Sequence, residues 1–120
     1  MDARTITSGL SVTPQITTDD VQAAKHRRSR AIICNRPDGE GMDQPNFEEI
    51  ETAAAAAGME ARYLPIVAGK VQDEDAGAFG RLLEELPGPA LAYCRTGTRS
   101  ATLWSLSVAD RKPVADILAA

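Results

Sequence analysis

Apolar residues recur along the chain in two rhythms. Short continuous runs, Ala31-Ile32-Ile33-Cys34 and Ala90-Leu91-Ala92-Tyr93-Cys94, have the length and composition of strands buried on both faces. Elsewhere Phe79, Leu82, Leu83 and Leu86 repeat at i, i+3, i+4 and i+7, which lays one apolar stripe along a helix. Residues 4–12 (RTITSGLSV) are rich in β-branched side chains and interrupted by Gly9, predicting a short strand or an edge hairpin. Thr17 or Thr18 can cap a helix that opens with Asp19 and Asp20 and closes in the basic run Lys25-His26-Arg27-Arg28. Both charge placements suit the helix dipole. Residues 30–35 read as a buried strand and 35–41 (NRPDGEG) as turn chemistry. Asn46 caps a second helix, with Glu49 three residues on as in a capping box, running through the alanines to Gly58. Residues 59–67 predict a further strand, Asp73 caps the leucine-rich helix, and Pro87-Gly88-Pro89 stops it. A loop over 94–99 leads into a helix from about Ser100 to Ala109 with Ala101, Trp104 and Val108 on one face, and Pro113 can open a short terminal helix.

Strand and helix alternate, and the strands are apolar throughout rather than alternately polar. That combination predicts a single α/β domain over 1–120, core about 4–110, with a mainly parallel sheet of four to five strands flanked by helices. In such sheets ligands bind beyond the carboxyl ends of the strands. The loops at those ends, 35–45, 68–73 and 94–99, are expected to converge on one crevice.

Composition narrows the function. The 120 residues suffice for one hydrophobic core and exclude two ordinary domains. With 43% apolar and 25% charged residues, disorder and a disulfide scaffold are excluded. No apolar run approaches the ~18 residues of a membrane span, and the first ten residues lack the apolar stretch of a signal peptide; a cytoplasmic location is expected. The net charge of −4 arises in the first half, which carries ten acids against six bases, while residues 61–120 carry seven of each. Nucleic-acid binding would need a basic field that is absent. There are two cysteines and one histidine. A Cys34–Cys94 disulfide is disfavoured in a reducing compartment, and no ligand spacing for zinc or another metal is present. Cys34 reads as a small core hydrophobe. His26, in a basic helix end, reads as a surface residue.

Cys94 is different, because the residues after it do not belong to a core. In Cys94-Arg95-Thr96-Gly97-Thr98-Arg99-Ser100 a strand delivers a thiol to a tight turn that closes onto a helix N-terminus. Gly97 is free to take a positive φ. Successive N–H groups of Thr96, Gly97 and Thr98 can form an anion-binding nest, strengthened by the helix dipole. Arg95 and Arg99 add positive charge, Arg99 as a bidentate fork, and Ser100 can cap the helix or hydrogen-bond the thiolate. Each feature favours thiolate over thiol.

This loop resembles the active-site loops of rhodanese-type sulfurtransferases and cysteine phosphatases. NRPDGE, Asn35 to Glu40, is similar to the second signature of the β-lactamase-hydrolase-like phosphatase family, whose members are also described as sulfurtransferases. The resemblance spans roughly residues 4–110. It implies a protein-tyrosine-phosphatase-like fold, and its members occur alone or joined to a metallo-β-lactamase-like persulfide dioxygenase, which implies work in sulfide and persulfide metabolism; no cofactor is expected. The phosphatase loop places five residues between Cys and Arg; here four separate Cys94 from Arg99. The smaller loop favours sulfane sulfur, carried as a persulfide on Cys94 from a small sulfur-containing anion or persulfide, and that transfer needs no general acid. Hydrolysis of a phosphoester through a Cys94 phosphoenzyme is the alternative, and it wants a general acid. Asp73 and Asp75 in the loop before the preceding helix are candidates, although both also read as ordinary first-turn acids. Asp38 is another, or else a turn aspartate. Arg36 can orient Asp38 or gate the crevice, and Lys70 can add positive field at its rim. A non-catalytic module that senses persulfide or binds an anion is the third reading.

Overall fold

The computed structural model describes residues 1–111, and in it each apolar run becomes a four-residue strand, wholly buried. The elements in order are β1 (Arg4–Thr7), β2 (Leu10–Thr13), α1 (Thr18–His26), β3 (Ala31–Cys34), α2 (Phe47–Ala56), β4 (Glu60–Tyr63), α3 (Asp73–Glu85), β5 (Ala90–Tyr93) and α4 (Thr98–Arg111). The strands form one five-stranded sheet in the order β1-β2-β5-β3-β4, antiparallel only between β1 and β2. Residues 4–12 therefore form the hairpin, turning at Gly9. The two central strands, β5 and β3, are the apolar runs, as expected of strands covered on both faces.

Alternation along the strands sorts the core into two layers. On one face Ile32, Cys34, Leu91 and Tyr93 pack with Val21 and Ala24 of α1 and Ile50 and Ala54 of α2. On the other Ala31, Ile33, Ala90 and Ala92 pack with Phe79 of α3 and Leu103 of α4. Small alanines on both sides let the helices approach the sheet closely. Leu82 and Leu83 lie half-buried against the second layer and Leu86 is buried, completing the stripe of α3.

The caps differ in detail from the sequence expectations. Thr17 caps α1, its Oγ1 accepting from the Asp20 N–H while the Asp20 carboxylate accepts from the Thr17 N–H. Asn46 caps α2 through the Glu49 N–H. Asp73 does not cap α3: Gln72 holds that position, its N–H donating to the Asp75 carboxylate, and Asp73 is the first helical residue. β4 stops at Tyr63 rather than at 67, although Leu64 and Ile66 still donate to the carbonyls of Cys34 and Asn35. The last helix starts two residues earlier than expected, at Thr98, and its most buried apolar side chain is Leu103, with Ala101 and Trp104 only partly covered. Ser100 therefore sits inside the helix and caps nothing. The terminal helix expected from Pro113 lies outside the described residues. No helix among them is long and apolar enough to cross a membrane.

Candidate active site

β5 ends at Tyr93, so Cys94 is the first residue past the carboxyl edge of a central strand. Chain reversal onto α4 is made by Gly97, whose φ of +91° a side chain would resist. In that conformation the Gly97 N–H donates to Cys94 Sγ at 3.0 Å. The thiol is fully buried, and burial by itself would push its pKa up; the backbone N–H groups of Ser100, Thr96, Arg99 and Gly97 outweigh it and hold Cys94 below the usual thiol range. Backbone amides rather than side-chain cations therefore dominate the surroundings of the sulfur.

Arg99 lies on the first turn of α4, 9% exposed. Its Nη1 donates to Glu40 Oε2 and to the Ile66 carbonyl, both at 2.8 Å, and its Nη2 donates to Glu40 Oε1 at 2.6 Å. A guanidinium has five N–H groups. Three are consumed here, which leaves Nε–H and one Nη2–H on a single edge. Cys94 stands close enough to Arg99 to raise the arginine pKa together with Glu40, the larger influence. The Arg99 side chain is thus also hydrogen-bonded to the Cys94 sulfur.

Glu40 is the residue that sequence reasoning left without a role. It is held below the usual carboxylate range, chiefly by its hydrogen bonds to Arg99 and secondarily by Arg36, so it stays ionised and offers no proton. Arg36 does not orient Asp38; its Nε donates to Glu40 Oε1 at 3.0 Å instead. Asp38 is occupied elsewhere, accepting from the Phe47 N–H at 2.8 Å while its own N–H donates to the Tyr63 hydroxyl. Asn35 was also missed: its Oδ1 accepts from Ser100 Oγ at 2.8 Å and its Nδ2 donates to the Leu64 carbonyl, so Ser100 ties α4 to the end of β3. Both missed residues lie in the NRPDGE segment, where the signal was a polar pair at the carboxyl end of a central strand.

Two of the three expected loops meet. The 35–45 loop reaches the 94–99 loop through Glu40 and Arg99, and the chain ahead of 68–73 contributes the Ile66 carbonyl. Lys70 and Asp73 are exposed, and Asp75 takes the Gln72 N–H; among the described residues none of the three shares a hydrogen bond or ion pair with the Cys94 loop. Arg95 and Thr98 are exposed at the rim, and Thr96 Oγ1 accepts from the Thr98 N–H. His26 is exposed, as expected. Cys34 and Tyr93 are register partners on β3 and β5 and share one face of the sheet, and Cys94 lies one residue past the end of β5. Burial pushes the Cys34 thiol up, and its Sγ–H donates to the Arg36 carbonyl. The described residues hold no cluster of metal-ligating side chains.

The beta-lactamase hydrolase-like proteins of Xylella fastidiosa and Agrobacterium fabrum are 33% and 34% identical over 102 and 109 residues, 85% and 91% of this chain. The chain spans about a quarter of the length of these relatives (24% and 25%). A candidate phosphatase of Neisseria meningitidis superposes with a TM-score of 0.82 at 36% identity, covering 94% of this chain and 81% of that one. TpbA of Pseudomonas aeruginosa in complex with pTyr shares the fold, with a TM-score of 0.65 at 15% identity over 85% of this chain and 59% of that one. The model of the family "Beta-lactamase hydrolase-like protein, phosphatase-like domain" matches residues 2–111, and the chain belongs to that family.

Proposed function

We propose that the domain is a cysteine-dependent phosphatase in which Cys94 is the nucleophile and Arg99 holds the oxyanion. The observation that carries this reading is the buried Cys94 sulfur held by backbone amides with the Arg99 guanidinium against it. The phosphatase-like fold of the solved neighbours supports phosphoester hydrolysis over the sulfur transfer expected from loop length. In the proposed reaction the Cys94 thiolate attacks phosphorus and the ester P–O bond breaks. The leaving oxygen takes a proton from solvent, and water then hydrolyses the phosphocysteine. Nε–H and Nη2–H of Arg99 and the loop amides face the charge that develops on the phosphoryl oxygens.

The proton is what limits the substrate. Neither acid of the 35–40 segment is placed to donate: Glu40 is locked as the anion and Asp38 is turned to α2. Aryl phosphates, whose leaving phenoxide is stable, are therefore favoured over alkyl phosphates. Sulfur transfer is the second reading, and the same observation favours it. Cys94 would attack the outer sulfur of thiosulfate, release sulfite, and pass the sulfur to a thiol or cyanide. Parallel assays separate the two: phosphate release from p-nitrophenyl phosphate, and thiocyanate from thiosulfate plus cyanide. Turnover of the first that disappears in Cys94→Ser is expected. Thiocyanate formation without phosphate release would reverse the order of the readings.

A further inference from the structure

Arg36 is a buried arginine, 7% exposed, that takes no part in the proposed chemistry. Its guanidinium bridges two loops. Nε donates to Glu40 Oε1 at 3.0 Å and Nη1 donates to Gln15 Oε1 at 3.1 Å. Gln15, in the connection between β2 and α1, gives its own backbone N–H to the Arg95 carbonyl at 3.3 Å. Glu40 receives Arg99. The bonds thus leave the anion loop at Arg95, pass through Gln15, Arg36 and Glu40, and return at Arg99. This circuit clamps the loop at both ends. Gly41 makes room for it: a Cβ there would lie 2.7 Å from Arg36 Nη2.

We propose that Arg36 is a positioning residue for Arg99, acting through Glu40 and anchored by Gln15. A carboxylate on an exposed turn that met one guanidinium only could rotate with it. Here Glu40 Oε1 accepts from both arginines, and the anchoring side chain is the more buried one, 9% exposed against 26% for Glu40. The second guanidinium fixes the carboxylate plane and so decides which edge of Arg99 meets the anion. Displacing such a group by about 1 Å can cost ~10²-fold. The proposal rests on the Cys94 loop being the working anion site.

The test uses inorganic phosphate as the probe and its protection of Cys94 against iodoacetamide as the readout, followed by peptide mapping. In Arg36→Gln the apparent phosphate Kd is expected to rise about tenfold or more, and in Gly41→Ala to rise in the same direction by less. The pH midpoint of Cys94 alkylation is expected to move far less than phosphate binding, because the backbone amides that dominate around the sulfur are untouched; a role in general folding would move both or neither. Glu40→Gln combined with Arg36→Gln should bind phosphate no more weakly than Glu40→Gln alone, since both changes cut one circuit. Should Arg36→Gln fail to fold, Gly41→Ala carries the test, because it moves the Arg36 head without removing a charge. Wild-type affinity in Gly41→Ala and Arg36→Gln overturns the proposal. So do losses that multiply in the double variant, which would place Arg36 on the anion itself. If phosphate does not protect the wild-type protein, the active-site reading fails and takes this proposal with it, an outcome distinct from failure in the variants alone.

Discussion

Replacing Gly97 by alanine sets two energies of similar size against each other. At φ +91° an alanine is strained by roughly 1–2 kcal/mol. Space is not the difficulty, because a Cβ would meet the Thr13 carbonyl carbon and oxygen at 3.5 and 3.6 Å, ordinary contact distances. Holding the conformation keeps the Gly97 N–H on the sulfur at 3.0 Å, a bond to a charged acceptor whose net value is about 1.5–3 kcal/mol. In the thiol form little opposes relaxation of the turn; in the thiolate form the hydrogen bond resists it. The apparent pKa of Cys94 in Gly97→Ala should then rise by about the strain, close to one unit at ~1.4 kcal/mol per unit. The assay is the rate of iodoacetamide alkylation against pH, with peptide mapping to separate Cys94 from Cys34. Wild-type Cys94 should react fully at a pH below the ordinary thiol value of about 8.5, and the variant's midpoint should move up. A wild-type midpoint at or above the ordinary value, or an unmoved midpoint in a folded Gly97→Ala, would refute the reasoning.

Other variants test the remaining parts of the site. Ser100→Ala orphans the fully buried Asn35 Oδ1, so a loss of ~1–3 kcal/mol and a melting temperature lower by roughly 4–12 °C are expected by calorimetry. Arg99→Lys keeps the charge but cannot reproduce a planar fork shared between Glu40 and an anion; turnover should fall at least ~10²-fold, with far-UV circular dichroism unchanged. Asp38→Asn retains an acceptor for the Phe47 N–H and loses only the acid; kcat should change less than about threefold, whereas a 10²-fold fall would make Asp38 the general acid. Glu40 has a depressed folded pKa, so its stabilisation is complete above the unfolded value of about 4.3 and is lost as pH falls through the lower folded value. Urea midpoints should therefore show wild type ahead of Glu40→Gln at pH 7 and the gap closing toward pH 3.

The central strands and the Cys94 loop were legible because each is local: an apolar run states its own burial, and a cysteine before a glycine turn states its own chemistry. The role of Glu40 was not legible, since it depends on Arg99 arriving from 59 residues away. Gln15 was invisible for the same reason. Asp73 was misplaced by one position because a glutamine in extended conformation took the cap, and cap preferences are weak discriminators among adjacent polar residues. Arg36 stands out in the sequence as a partner for Asp38 or a gate, but the turn at Pro37 and Gly39 presents Glu40 to it instead.

The state of the second cysteine has a consequence for turnover and for damage. The sole other thiol of the chain, Cys34, is buried and donates to the Arg36 carbonyl. Discharge must come from a molecule that diffuses in, water or an external thiol, so release kinetics should depend on what the solution supplies. Oxidation follows the same rule: a sulfenic acid on Cys94 has no internal disulfide to retreat into, and its survival is a race between added thiol and further peroxide.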